Sequence, residues 1–115
     1  MKLKAVQTMT NKLLQTTQLV KTILEKDEKA RNSDNYLYYC ILSKLANEKG
    51  IDINAISIPE FLLDMADLGF PPFETVRRTR QKAQEKHPEL CASESVQIAR
   101  AELEQDFRAF ARCTV

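Results

Sequence analysis

The amino-acid sequence predicts an all-α protein of about five helices, and three observations support this. Glycine occurs 2 times and proline 4 times, which is too few for the many tight turns of a β-sandwich or β-barrel. Apolar residues recur at steps of three and four along most of the chain, as in amphipathic helices. Residues that cap helices stand where these stretches begin and end. The expected arrangement is a tri-helical helix-turn-helix core with a long N-terminal helix and a C-terminal helix docked on it.

The first element is a long helix, because residues 1–28 contain neither glycine nor proline. Its apolar seam has the 3,4 spacing of a coiled coil. Two alternatives stay open for this seam: it packs on the core of its own domain, or it pairs with a second copy in a homodimer. In the second case the oligomer interface consists of Leu3, Val6, Leu13, Val20 and Leu24. We expect residues 1–31 to form an N-terminal helical arm and residues 33–115 a helical domain, in a single globular unit overall.

Local capping signals define the next two helices. Ser33 is a typical N-cap, and the helix that follows it is expected to end at Gly50. Ser57 caps the third helix, because Glu60 stands three residues on and completes a capping box. Gly69 ends that helix. The isoleucine-rich stretch between these two helices is expected to be a buried loop.

Two further helices follow a stiff turn at Pro71 and Pro72. The first is expected over residues 74–86, because the residue before Pro88 disfavours the helical conformation. Ser93 caps the last helix. That helix carries an apolar stripe with steps of three and four, which we expect to dock on the core: Val96, Ala99, Leu103, Phe107 and Phe110.

Charge is balanced overall but unevenly distributed along the chain. The net charge of +1 excludes a globally basic surface of the kind that coats nucleic acid. Residues 74–86 nevertheless hold five basic residues against two acidic ones, whereas residues 48–67 hold one against five. The helix at 74–86 is therefore the candidate for binding an anionic partner.

The order of elements at residues 57–87 is that of a helix-turn-helix, in which a capped helix and a tight turn precede a basic helix. Arginine and glutamine are the side chains that read guanine and adenine in the major groove, and lysine holds phosphate. We expect base contacts from Arg77, Arg80, Gln81 and Gln84, and phosphate contacts from Arg78, Lys82 and Lys86. The alternative is an ordinary solvated helix face, held by i,i+4 ion pairs.

Residues 33–112 resemble small proteins of the early or replication regions of phages and integrative elements of Gram-positive bacteria. The stretch that carries this resemblance reads FLLDMADLGFPPFETVRRTRQK, from Phe61 to Lys82, followed by HPEL from His87. Its Glu-x-Val-x-Arg-x-Arg pattern, from Glu74 to Arg80, is also similar to the third helix of winged-helix modules.

The resemblance implies a regulatory or accessory protein that binds double-stranded DNA in the cytoplasm of a bacterial host. The alternative is a phage-encoded inhibitor of a host defence or replication machine, for example an anti-CRISPR. Such an inhibitor acts by binding a host protein or nucleoprotein complex. The sequence does not choose between these two roles.

Nothing in the composition predicts catalysis, a cofactor or a metal site. His87 is the only histidine, so Ser-His-Asp and Cys-His sets have one candidate base, and it stands at a helix end. Cys40, Cys91 and Cys113 are three unpaired-looking thiols, as is usual in a reducing cytosol. The N-terminus lacks the apolar region of a signal peptide, and no stretch has the length of a membrane span. We therefore expect a cytoplasmic protein that is not an enzyme.

Overall fold

A computed structural model describes residues 2–113 of the chain, and the side chains of residues 14–109. The described residues form helices and connecting turns without a β-strand, which confirms the predicted all-α class. Residues 2–113 contain six α-helices, together with 3₁₀ turns at Ile53–Ala55 and Pro88–Leu90. The α-helices are α1 (Lys2–Lys26), α2 (Glu28–Asn32), α3 (Asp34–Glu48), α4 (Ile58–Asp64), α5 (Phe73–Lys86) and α6 (Glu94–Cys113).

The predicted N-caps at Ser33 and Ser57 are present in the structure. The Ser33 hydroxyl accepts the backbone N–H of Tyr36 at 3.2 Å, and the Ser57 hydroxyl accepts that of Glu60 at 3.3 Å. Helix α2 was not predicted; it begins where the Asp27 carboxylate caps a short turn. Each cap satisfies a backbone N–H that the first turn of a helix leaves unpaired.

Glycines in the left-handed conformation end α3 and the turns that follow α4. Gly50 has a φ of 71° and Gly69 a φ of 81°, a region that residues with a Cβ rarely adopt. After Gly69, the N–H of Phe70 returns to the carbonyl of Met65 at 2.9 Å, which is the long bond of a Schellman motif. Helix α4 itself ends earlier than expected, at Asp64.

The main core lies between the C-terminal part of α1 and helices α3 and α5. Its largest fully buried side chains are Val20, Leu24, Leu37, Ile41 and Val76. Each buried aliphatic side chain of this size contributes about 1.5–3 kcal/mol relative to its exposed state. These contacts fix α5 against two other helices along its inner face.

The predicted oligomer seam of α1 is wrong for two of its five residues. Val20 and Leu24 are fully buried inside a single copy of the chain, so they cannot face a partner. The physical reason is that α3 and α5 cover this end of α1. Leu3, Val6 and Leu13 lie outside the residues whose side chains are described.

A second apolar cluster holds α4 against the C-terminal half of α3. Leu42 and Ala46 of α3 pack there with Phe70, and Phe61 lies at the edge of the cluster. The hydroxyl of Tyr38 donates to the carbonyl of Pro71 at 2.7 Å. This cluster therefore sets the turn that leads from α4 into α5.

Helix α6 is attached to the domain only near its start. The N–H of Ser93 donates to the Asn32 side chain at 2.8 Å, and Val96 is half-buried. Ala99 and every residue from 101 to 109 are exposed, so the expected docking of the apolar stripe is wrong for Ala99, Leu103 and Phe107. These apolar side chains do not dock on α5, because the side of α5 nearest to α6 carries polar groups such as Arg77 and Gln81. The side chain of Phe110 lies outside the described residues.

Candidate functional site

Arg80, which was expected to read bases, is part of the protein interior. Only 7% of the residue is exposed. Its Nε donates to Oδ1 of Asp34 at 2.8 Å, and its Nη2 donates to Oδ2 at 3.0 Å. This two-bond geometry is the strongest form of an arginine–carboxylate pair. Arg80 therefore joins α5 to the start of α3.

Gln84 is buried one turn further along α5 and is 8% exposed. Its Nε2 donates to the carbonyls of Arg31 and Leu90, at 3.2 Å and 3.0 Å. Its Oε1 accepts a hydrogen bond from Nη1 of Arg80 at 3.2 Å. A buried amide with all these partners is a structural crosslink, because each group it satisfies would otherwise be unpaired.

The expected solvent exposure of Arg80 and Gln84 is thus wrong. The buried face of α5 consists of Val76, Arg80, Ala83 and Gln84. Sequence periodicity places arginine and glutamine outside because apolar residues mark the inside. Here Arg80 can be buried because Asp34, from a distant part of the chain, accepts two hydrogen bonds from its guanidinium group.

Arg77 and Arg78 lie on the surface, and both are bound to Glu74. Arg77 makes two hydrogen bonds to the Glu74 carboxylate, at 2.9 Å and 2.6 Å. Arg78 donates its Nε to the same carboxylate at 3.1 Å. The hydrogen bonds from Arg77, with its charge and that of Arg78, lower the pKa of Glu74 to about 2, against the opposing effect of desolvation.

We expect this surface cluster to lose its ion pairs only in strong acid. A carboxylate whose pKa is lower in the folded state stabilises the fold fully above its ordinary value of 4.5, and the stabilisation is lost as pH falls toward 2. An NMR titration should give the Glu74 carboxyl carbon a midpoint near 2. The variant Arg77→Gln should move that midpoint upward, and an unchanged midpoint would contradict the assignment.

The residues expected to hold phosphate remain on the outside of α5. Lys82 and Lys86 are exposed, and the side chain of Arg78 is 71% exposed. They follow one another at i, i+4 and i+8, so they form a ridge along one side of the helix. Gln81 is also exposed. Among the residues predicted to contact DNA, Arg78, Lys82 and Lys86 therefore form an exposed ridge. Arg80 and Gln84 form a buried pair, and Arg77 lies between the two groups.

A groove with a volume of about 960 Å³ lies between α5 and α6. Arg77 and Gln81 line it on one side, and Leu103 and Phe107 of α6 on the other. Leu103 is 56% exposed and Phe107 is 65% exposed. The groove thus combines arginine side chains with an apolar wall that nothing in the described chain covers.

Arg100 also lines this groove, although the sequence did not single it out. Its Nη2 is 3.8 Å from Oδ1 of Asp34, the carboxylate that Arg80 already binds. Burial, together with the charge of Arg80, lowers the pKa of Arg100. Two guanidinium groups therefore share one carboxylate, which leaves local positive charge around Asp34.

His87 and Cys91 both contact other groups of the fold. The Nδ1 atom of His87 lies 3.5 Å from the Glu89 carboxylate, and the Cys91 thiol donates to the carbonyl of Gln84 at 3.6 Å. Within the described part of the chain, no three His, Cys, Asp or Glu side chains form a group that could hold a metal ion. In the same residues, no helix has both the length and the apolar character that a membrane crossing requires.

Comparison with protein-family models, with curated proteins and with solved structures found no match for this chain.

Proposed function

We propose that this chain is a protein-binding module without enzymatic activity, and that α6 and the groove beside α5 are its binding surface. The observation that carries the proposal is the exposure of Leu103 and Phe107 on a helix that leaves the domain. Burial of such side chains contributes about 1.5–3 kcal/mol each. Contiguous exposed apolar surface on a folded chain typically marks an interaction site.

The groove favours a helical partner with acidic groups beside an apolar face. The stripe provides apolar contacts at i and i+4, the spacing that an amphipathic helix matches. Arg100 provides a guanidinium group with one distant ion pair, so it has donors available to a partner carboxylate. The resemblance to phage proteins makes a host defence or replication machine the proposed target, which the module would inhibit or assist.

A comparison of three forms of the protein tests this proposal. The wild type, Leu103→Asp/Phe107→Asp and Ile98→Asp would each be immobilised and exposed to a nuclease-treated lysate of the bacterial host. Ile98 is the matched control, because it is a large exposed apolar residue of the same helix, about 140° around the axis from Leu103. We expect the wild type and Ile98→Asp to retain a stoichiometric protein partner.

The double variant should lose that partner by about 100-fold or more, because two apolar anchors at an interface each contribute about 2 kcal/mol. Circular dichroism should be unchanged, since both side chains are exposed in the free chain. Equal retention by the double variant would contradict the proposal. Loss of every partner after nuclease treatment would favour nucleic acid instead.

Double-stranded DNA is a second candidate partner, and the exposed ridge of Arg78, Lys82 and Lys86 favours it. Such a ridge can hold phosphates in a row without reading bases. Burial of Arg80 and Gln84 removes two of the four groups proposed to contact base edges. The DNA-binding proposal is therefore restricted to contacts with weak sequence preference.

We expect the double variant Lys82→Ala/Lys86→Ala to bind DNA more weakly and to show a smaller dependence of affinity on salt concentration. Each phosphate contact contributes about 1 to the slope of log affinity against log salt, so the double variant should reduce the slope by about 2. Binding to a mixed duplex would be measured across a salt series, with Glu48→Ala as a control far from the ridge. A slope near zero for the wild type would remove DNA as a partner.

A further inference from the structure

We propose that copies of this chain associate head to tail, with α4 of one copy docked on the apolar stripe of α6 in the next. The second copy would occupy the same α6 surface that we propose as the protein-binding site, so this inference rests on the proposed function. It is carried by two unpartnered apolar surfaces with different charged borders, located at different ends of the same fold.

The first surface is a ridge on α4. Phe61 and Met65 turn inward onto α3, which leaves Leu62 and Leu63 on the outside, 64% and 82% exposed. Ile58 extends this ridge at the start of the helix. Its charged neighbours are the exposed acids Glu60, Asp64 and Asp67, and residues 50–75 contain no lysine or arginine. The α4 ridge is therefore apolar with an acidic border.

The second surface is the α6 stripe, whose border toward α5 contains arginines. Four arginines line the groove, Arg77, Arg80, Arg100 and Arg108, against three acids, Asp34, Glu85 and Glu104, so its formal charge is +1. Arg108 pairs with Glu104 on its own helix. The α4 ridge can place its leucines on Leu103 and Phe107 and its acids toward these guanidinium groups. Complementary charges beside an apolar contact set its orientation and disfavour wrong partners.

The two surfaces of one copy do not cover each other in the described structure, where Leu62, Leu63, Leu103 and Phe107 are all exposed. Helix α4 packs on the C-terminal half of α3, beside Leu42 and Ala46. Helix α6 begins near the other end of α3, where Ser93 bonds to Asn32. These two ends are about 20 Å apart, because a helix rises about 1.5 Å per residue. The proposed contact therefore joins different molecules.

A symmetric dimer through either surface is disfavoured by charge. Two antiparallel copies of α6 would bring together the borders that face away from α5, and these contain Glu102 and Asp106. Two copies of the α4 ridge would likewise bring together their acids. A head-to-tail contact avoids both repulsions, and such heterologous contacts form rings or open chains.

Sedimentation velocity over a concentration series tests the proposal. We expect the weight-average mass of the wild type to rise beyond a dimer as concentration increases. Leu62→Asp/Leu63→Asp and Leu103→Asp/Phe107→Asp should each remain monomeric, with association weakened by about 100-fold or more. Ile98→Asp should behave as the wild type.

Mixing the two double variants is the decisive step. Each retains one intact surface, so an equimolar mixture should form a 1:1 complex although neither variant associates alone. A symmetric contact predicts the opposite, because one variant alone would still dimerise and mixing would add nothing. A mixture that stays monomeric overturns the inference.

The experiments distinguish a failure of self-association from a failure to bind a host protein. A wild type that is monomeric at every concentration, but still captures a host protein through Leu103 and Phe107, would overturn self-association and leave the binding surface in place. A wild type that assembles by complementation but captures no host protein would confine the surface to contacts between copies.

Discussion

Replacing Arg80 with alanine should lower the free energy of unfolding by about 3–5 kcal/mol, the range for breaking a buried ion pair at one partner. The side chain is nearly inaccessible and holds Asp34 through two hydrogen bonds. Its removal leaves the Asp34 carboxylate with Arg100 at 3.8 Å as its remaining described ion-pair partner. It also removes a hydrogen bond to the buried Gln84 side chain.

Urea unfolding followed by circular dichroism measures this effect. Arg77→Ala is the matched control, because Arg77 lies one turn earlier on α5 and its ion pair is at the surface. Surface pairs contribute about 1 kcal/mol or less. Equal losses for the two variants would show that Arg80 is not a buried crosslink. Arg80→Ala consequently cannot serve as a test of DNA contact, since it changes the fold.

Replacing Leu37 with alanine should lower the free energy of unfolding by about 2–5 kcal/mol. Leu37 is fully buried where α3 meets the rest of the main core. The substitution removes apolar contacts and leaves a cavity that close-packed neighbours fill only in part.

Leu63→Ala is the control for this substitution, because Leu63 is exposed on α4 and its truncation should change stability by about 0.5 kcal/mol or less. Both variants would be compared by thermal and urea unfolding at a low protein concentration, at which self-association is absent. A loss below about 1 kcal/mol for Leu37→Ala would show that this side chain lies outside the main core.

Local contacts set the helix boundaries that were predicted correctly, whereas α2 and the early end of α4 at Asp64 were not predicted. Ser33 and Ser57 cap the helices that follow within three residues, and Gly50 and Gly69 adopt the positive φ that ends helical turns. All of this information lies within a few positions along the chain. It can therefore be obtained from one sequence without any knowledge of the tertiary contacts.

The orientation of α5 was not predictable, because the group that decides it is distant. Asp34 is 46 residues away from Arg80 in the chain. From the sequence alone, we expect Asp34 to stabilise the first turn of α3 and Arg80 to be exposed to solvent. The steps from Val76 to Arg80 to Ala83 do follow a helical seam, so an arginine inside an otherwise apolar seam was the available signal.

The apolar stripe of α6 illustrates a second limit. Periodicity correctly identifies Leu103 and Phe107 as one face of a helix. It does not tell whether the same chain or another covers that face. Here the adjacent surface of α5 is polar, so the stripe stays exposed beyond the first turns of α6.

Site-specific photo-crosslinking shows whether the exposed stripe of α6 is a binding surface. A photoreactive benzoylphenylalanine would replace Phe107 in one sample and Ile98 in another, each irradiated in nuclease-treated host lysate. We expect a protein adduct from position 107, with a host protein or a second copy, and little or none from position 98. Equal adducts from both positions, or none from position 107, would contradict this expectation.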